Sequence, residues 1–570
     1  MIRFASRAVL LIAAILVVAG IVTALAEDGL DDRVSWLEQH VIPLDSCLAE
    51  SGLEDLAPLA AMVGDAQIVG LGESTHGTRE HFQMKHRLVE YLVEELGFTW
   101  FAIEASTPEA HRLDAYVLGG DGDPEELIRG MYFWTWTTEE VLAMVEWMRA
   151  HNARSDHKIH FTGFDMQTPD VALEEVEEFL AKADRALADR LLAAHPSIVN
   201  VGYELPCAAS SYMLDPEGSR GETVRFTAWI RTKDVRSGHA GLWYLVTGRE
   251  GEPLAHGYMH DRGLSGTNDW TECEVELPVD ETAHQIVFGF LLTGQGKAWF
   301  DKASLSVNGT DLDTTKLDLG FEGDLAIGTH TNLGRYSTRI DRFIAYSGAQ
   351  SLQLSGSPST PSAAALIPNA EEIFAEMKSA RDEWLAVHPV KEVDRALLNM
   401  RIAVQYLRMV AGQVGASRDA AMAENVAWLS EQYPSERIIL WAHNGHINRM
   451  PGMMGSHLAE RFGEAYLPIG FATASGKYTA YGSFAVQAYD LQVPPAESFE
   501  ATFAAATTSD FVLDLRDVDG EDIRCAWLAE TRPFRMVGAA PMDEQFFDTP
   551  LSDYYDLIVF IEETTAARQL

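Results

Sequence analysis

Three points of the sequence carry side chains that could do acid–base chemistry on one substrate: Glu73 with His76, Glu104, and His443 with His446. A carboxylate three residues before a histidine can hold one ring nitrogen, fix the tautomer and raise the basicity of the other. Glu73 and His76 therefore read as an oriented general base for a water molecule. Glu104 would help to position that base or the water. His443 or His446 would stabilise an oxyanion or protonate a leaving alcohol. The same residue types permit a second chemistry, in which His76, the two later histidines and a carboxylate hold a divalent metal such as zinc. A His-x-x-His in a loop is a weaker metal signature than a helical H-E-x-x-H, and no zinc-type cysteine cluster accompanies it. A serine nucleophile has no candidate elbow: the chain lacks G-x-S-x-G, and Ser74 lacks the right neighbours. Taken singly, each of these groups reads as readily as a solvated loop residue or a member of a buried ion-pair network.

Their places relative to secondary structure say more. Gln67 to Leu71 is a short apolar run after Gly64 and Asp65, which predicts a buried strand. Thr78 can cap a helix from about Arg79 to Leu96, with Phe82, Val89, Leu92, Val93 and Leu96 at helical spacing and Gly97 as its stop. Glu73 and His76 then lie in a strand-to-helix turn. Trp100 to Ile103 predicts a second strand ending at Glu104. Lys158 to Phe164 predicts a third ending at Asp165, and Arg437 to Ala442 a fourth ending at His443. Helical patterns separate them: Thr138 to about His151, Ala370 to Leu385, Val393 to Val414, and Arg418 to Gln432. More strand-like segments lie near Tyr466 to Ala472, Phe511 to Leu515 and Leu557 to Ile561. The alternation predicts an α/β fold, mainly a parallel sheet with flanking helices. In such sheets ligands bind at the carboxyl ends of strands. Ionisable groups at several of those ends are poorly explained by packing, because isolated charges there cost free energy unless paired or used.

From about residue 200 to 360 the texture changes to short strands separated by Gly, Asp, Asn and Thr. Thr223 to Arg231 alternates, with Val224, Phe226, Ala228 and Ile230 on one face. This predicts an all-β jelly-roll or sandwich insert interrupting one catalytic domain. The expected division is 1–26, 27–195, 196–360 and 361–570. Gly296 to Leu305 and Leu319-Gly-Phe-Glu322 resemble segments of galactose-binding-like domains, so a glycan on the insert is one reading and a lid without ligand is the other. Trp229, Trp243, Trp270 and Trp299 would serve either as core or as a sugar platform.

The motifs Gly72-Glu-Ser-Thr-His-Gly-Thr-Arg-Glu80, Lys85-His-Arg-Leu88, Phe101-Ala-Ile-Glu104, Gly163-Phe-Asp-Met-Gln167, Arg418-Asp-Ala-Ala-Met-Ala-Glu-Asn425 and Trp441-Ala-His-Asn-Gly-His446 occur in family order. Together they resemble the erythromycin esterase family, which also takes in succinoglycan-biosynthesis proteins. The resemblance implies an ester or lactone hydrolase with His76 as base and no obligatory metal or other cofactor. It also implies that Lys85, Asp165 and Arg418 help to bind substrate. Lys85 falls where macrolide-inactivating members often carry arginine. The insert is a departure from the plain esterases and points away from a macrolide, toward an acylated saccharide or another cell-surface ester. A non-catalytic, polysaccharide-related binding protein using the same cleft is the competing class.

Arg3 and Arg7, an apolar run from Ala8 to Ala26 and the cleavage signature Ala24-Leu25-Ala26 predict a signal peptide and export, with an uncleaved membrane anchor as the alternative. A formal net charge of −42 argues against partners such as nucleic acid or an anionic membrane surface. Four cysteines, at 47, 207, 273 and 525, are too few and too scattered for a disulfide scaffold.

Overall fold

The computed structural model describes residues 29–49, 51–199, 201, 207–248, 253–259, 262–323, 329–332, 336–356, 362–482, 486–516 and 518–570; for Cys207, Pro253 and 329–332 it describes the backbone alone. The apolar segment up to Ala26 lies outside these residues. Among the described residues no helix is long and apolar enough to cross a membrane.

The chain separates into two compact units. One takes the described residues up to Gln167 and from Gly415 onward, and the other those of Thr168–Val414. The division thus falls at 167/168 and 414/415, whereas the sequence pattern suggested 195/196 and 360/361. The physical reason is helix packing. Asp170–Ala183, Arg185–Val199, Ala363–Trp384 and Val390–Val410 pack on one another, so they group with the strands between them.

In the first unit, nine strands form one mixed sheet. Its order is Ile42–Pro43, Asp510–Asp514, Leu557–Thr564, Tyr466–Tyr481, Ile68–Leu71, Ile438–Trp441, Trp100–Ser106 and His160–Asp165, with Val486–Asp490 paired to the long strand Tyr466–Tyr481. The strands from Leu557–Thr564 to His160–Asp165 run parallel. Their side chains alternate between two apolar cores. Val69, Leu71, Phe101, Ile103, Ile439 and Trp441 belong to one, and Ile68, Trp100, Ala102, Ile438 and Leu440 to the other. Strands buried on both faces read as continuous apolar runs, which is why these segments lack polar alternation. Leu71, Trp441 and Ile103 lie side by side in register, and Ile103 pairs with Gly163. Glu73 and His443 follow closely on Leu71 and Trp441, Glu104 sits at a register shift inside Trp100–Ser106 and Asp165 closes its strand, so the four are brought to one rim.

In the second unit the strands between Cys207 and Gly356 are antiparallel and form one ten-stranded hydrogen-bonded sheet. Thr223–Thr247 is its spine. The first part pairs with Leu264–Pro278 and Gln295–Val307, the later part with Gln285–Thr293 and Pro253–Tyr258. Val224, Phe226, Ala228 and Ile230 are all fully buried, as the alternation predicts. Of the four tryptophans, Trp299 is buried and donates to Asp341 Oδ2 at 2.8 Å. Trp229, half-buried, stacks on Tyr346 with centroids 4.0 Å apart. Cys273 is a buried free thiol.

Candidate active site

The turn after Leu71 is shaped by two glycines at close approaches. A Cβ on Gly72 would lie 2.1 Å from Asn444 Oδ1, and one on Gly77 would lie 1.9 Å from the Thr479 carbonyl oxygen. Neither position tolerates a side chain without moving backbone or a bound amide. That amide is itself fixed, because Asn444 accepts from Phe471 N–H and donates to Phe471 O. Backbone bonds then brace the turn along its length. Asn444 N–H donates to Glu73 O at 2.9 Å, Val537 N–H to Ser74 O at 2.7 Å, and Thr479 and Ala567 N–H both to Gly77 O at 2.8 Å. The helix Arg79–Glu94 follows with Thr78 at its N-cap, but the Thr78 hydroxyl makes no capping bond and meets Thr75 Oγ1 instead.

Inside this turn Glu73 is fully buried. Its Oε1 lies 2.7 Å from His76 Nδ1, and its Oε2 accepts from Lys85 Nζ at 2.5 Å and from the Trp441 indole at 2.9 Å. Burial alone would raise the Glu73 carboxyl, but the Lys85 charge and the His76 bond outweigh it and hold the group below its ordinary range. Lys85 lies in the second turn of the helix, with no exposed surface, 4.4 Å from the Trp441 ring centroid and 3.4 Å from the Ala442 carbonyl oxygen. Burial lowers Lys85 to about 8 against the pull of Glu73. His76 keeps 8% exposure, and its Nε2 has no hydrogen-bond partner among the described residues. The ring packs edge-on with Trp136 at 5.9 Å and lies 4.9 Å from the His443 ring. Trp136 is anchored by its indole N–H to Glu104 O at 2.9 Å.

A second cluster is centred on Arg418, the first residue of the helix Arg418–Gln432. Its Nη2 donates to Glu104 Oε1 at 2.6 Å and to Asp165 Oδ2 at 2.7 Å, and its Nε lies 3.2 Å from both Asp165 oxygens. The two carboxylates raise the guanidinium above its ordinary value despite burial. Burial would likewise raise Glu104, but His446 and Arg418 hold it far below the carboxylate range. His446 Nδ1 lies 2.8 Å from Asp419 Oδ1, while its Nε2 faces Arg418 Nη1 at 3.0 Å and Glu104 Oε1 at 3.3 Å. Burial would lower His446; Glu104 and Asp419 raise it above its usual value. His443 is wired to the backbone instead. Gly445 N–H donates to Nδ1 at 3.0 Å, which leaves Nε2–H to donate to the Val537 carbonyl at 3.1 Å. Burial, with His76 nearby, pushes His443 down to about 3.

The sequence-derived residues Glu73, His76, Lys85, Glu104, Asp165, Arg418, His443 and His446 thus occupy one rim. Two take places other than expected. Lys85 is sealed beneath Glu73 and reaches no substrate space. Asp165, also fully buried, is saturated by Arg418, Met166 N–H and the Gln167 amide. Sequence reasoning missed the Trp441 indole, Trp136 and Val537. Asp419, next to Arg418 in the chain, holds His446 and the Met454 N–H. Among the described residues no group of three His, Cys, Asp or Glu side chains has an arrangement that could hold a metal ion.

Comparison with known proteins bears on this fold and site. Erythromycin esterase type II of Escherichia coli is 29% identical over 156 residues, which are 26% of this chain and 36% of that one. YbfO of Bacillus subtilis strain 168 is 33% identical over 133 residues, 23% of this chain and 29% of its own. The chain thus spans about a third of the length of the curated relatives it matches. Three solved structures share the fold. A succinoglycan biosynthesis protein has a TM-score of 0.59 at 20% identity, with 95% of this chain and 98% of that one covered. A Bacillus cereus protein has 0.61 at 22%, with 95% and 99% covered. A variant of the erythromycin esterase EreC in its open conformation has 0.51 at 15%, with 91% and 95% covered. A family model for erythromycin esterase matches residues 93–217 and 328–564, more than half of the chain, and the chain belongs to that family.

Proposed function

We propose that the protein hydrolyses a carboxylic ester or lactone with a water molecule activated by His76. The observation that carries this reading is the Glu73–His76 contact of 2.7 Å, which fixes Nδ1–H toward the carboxylate and leaves Nε2 without a partner among the described residues. His76 Nε2 takes a proton from water as the oxygen adds to the ester carbonyl carbon. Glu73 remains ionised and stabilises the imidazolium, because Lys85 and Trp441 hold its other oxygen. Arg418 and His446, whose side chains keep 24% and 19% exposure, supply positive charge for the oxyanion. His446, raised above its usual value, protonates the departing alkoxide when the C–O bond breaks. His443 has both ring nitrogens engaged and is driven neutral, so it serves as a wall that orients rather than as the acid.

The metal-dependent alternative fits the residues poorly. The carboxylates a divalent ion would need are taken by Lys85 and Arg418, whose charges would repel it. We further take the chain to be exported and its antiparallel region to be a jelly-roll-like sandwich with room for a glycan. The substrate is a small-molecule ester, of which an acylated saccharide suits the insert better than a macrolide. The test is hydrolysis of macrolides, aryl esters and acetylated sugars with and without a chelator. Turnover that resists the chelator supports the His76 mechanism; turnover abolished by it would replace that mechanism with a metal site. No turnover on any substrate would favour a binding protein.

A further inference from the structure

Away from the reacting groups, Glu500 and Arg535 are two charged residues without exposed surface. Among the described residues no carboxylate makes a hydrogen bond or ion pair with the Arg535 guanidinium. Its Nε donates to Thr473 O at 3.2 Å, its Nη2 to Ala474 O at 3.2 Å and Gln492 O at 2.7 Å, and its Nη1 to the Gln545 side-chain carbonyl. The plane lies over the Phe546 ring, 4.4 Å from its centroid. The Arg535 backbone N–H donates to Glu500 Oε1 at 2.7 Å, while Glu500 Oε2 meets no partner. Burial lowers Arg535 to about 10 and raises Glu500 to about 7. A buried charge satisfied only by carbonyl dipoles is a costly way to fill space, and an apolar residue would do that better. What a guanidinium adds is a rigid fork of five donors that fixes several segments relative to one another.

The segment it fixes leads to the reacting histidines. Met536 N–H donates to Gln545 O at 3.0 Å, and the next residue, Val537, bridges two parts of the rim. Val537 N–H holds Ser74 O at 2.7 Å, its carbonyl accepts from His443 Nε2 at 3.1 Å, and it forms a parallel bridge with Thr75. From Arg535 to the turn that carries Glu73 and His76 there are thus two residues and one hydrogen bond.

We infer that Arg535 is a positioning residue: by tying the end of the strand Thr531–Arg535 to Thr473, Ala474, Gln492 and Gln545, it holds Val537 between the Ser74–Thr75 turn and the His443 ring, and so sets His443 against His76. The kinetic consequence rests on the hydrolase reading; the geometric one does not.

The experiment therefore has a readout that needs no substrate. In full-length protein labelled with 15N-histidine, the His443 signals are identified by their loss in His443→Asn. They are expected to show an Nε2-protonated ring in the wild type, as the bonds to Val537 O and from Gly445 N–H require. Arg535→Lys is expected to move the His443 signals toward mixed tautomers and leave those of the distant His160 unchanged. Where Arg535→Lys does not fold, Gln545→Ala removes one anchor and is expected to shift the same signals less. Unchanged His443 signals in a folded variant overturn the inference. On a hydrolysed ester, Arg535→Lys lowers kcat about tenfold or more with KM within about twofold. In the His443→Asn background the same substitution costs under about twofold, because the two act through one contact. Additive losses would mean that Arg535 does not act through His443. If no ester is turned over, the hydrolase reading fails while the spectra still decide this link.

Discussion

The two charged clusters at neighbouring strand ends are built from the same residue types and solve different problems. Around Glu73 everything but the imidazole is sealed: Glu73 and Lys85 are wholly buried, and only His76 reaches the surface. Around Arg418 the carboxylates Glu104 and Asp165 lie beneath, while Arg418 and His446 keep part of their side chains exposed. The first arrangement makes a base by fixing one side of one ring. The second offers positive charge to whatever enters. In both, each buried charge has a specific partner, which makes the clusters sensitive to the loss of one member and tolerant of the loss of a pair.

The sharpest way to break that comparison is His76→Ala. If the first cluster is the base, turnover falls about 10²–10⁴-fold while the thermal midpoint stays close to that of the wild type. Comparable residual activity in His76→Ala and the wild type would move the base to the Arg418 cluster.

The next effect is on stability. Lys85→Met leaves the Glu73 carboxylate buried with one cation fewer, and removing one partner of such a pair costs about 3–5 kcal/mol. Urea unfolding is expected to show that loss, and the double variant Lys85→Met/Glu73→Gln to recover most of it. A mild effect of Lys85→Met would mean that Lys85 is only filling space beneath Trp441. This residue also shows where sequence reading stops. Its motif and its place in the helix Arg79–Glu94 were legible, but on a helix of 16 residues, about four and a half turns, only packing decides that Nζ turns under Glu73 rather than outward. The strand ends were legible because apolar runs stop abruptly at Glu73, Glu104, Asp165 and His443. Val537 was not, since it acts through its N–H and carbonyl and its side-chain type carries no signal. The compact units divide elsewhere than the sequence pattern for a similar reason: the helices flanking the insert look like those of the parallel sheet and differ only in what they pack against.

Acidity acts on the buried groups with both signs. His81, His86 and His443 are each pushed by burial to about 3, so they stay neutral in the folded chain. The unfolded chain takes up those protons below about pH 6.5. Stability from these groups is complete above that value and is lost as pH falls toward 3, by up to about 1.4 kcal/mol per pH unit for each histidine. Glu73 and Glu104, held low, add a further loss as pH falls below the ordinary carboxylate range. His446, held high, runs the other way: its contribution is complete below about pH 6.5 and is lost as pH rises through its folded value. Urea midpoints measured from pH 4 to 9 are expected to fall on the acid side in the wild type. His446→Gln should remove the alkaline part and, because His446 helps to hold Glu104 low, soften the acid part as well. An alkaline slope that persists in His446→Gln would assign it elsewhere.

The smallest effect tests whether ion pairing as such matters or only ion pairing at the rim. Arg225 and Glu274 meet diagonally across adjacent antiparallel strands in the second unit, both with about half of the side chain exposed. Their contact resembles the Arg418–Asp165 pair on paper, but water solvates each partner as well apart as together, and salt screens what remains. Arg225→Ala is therefore expected to leave the urea midpoint unchanged within error, at low salt and at high. If it did not, surface pairing would carry weight in this very acidic chain, where 43 Lys and Arg residues face 85 Asp and Glu. Each cation would then relieve repulsion from many carboxylates at once, and the contrast between sealed and solvated pairs would narrow to one of degree.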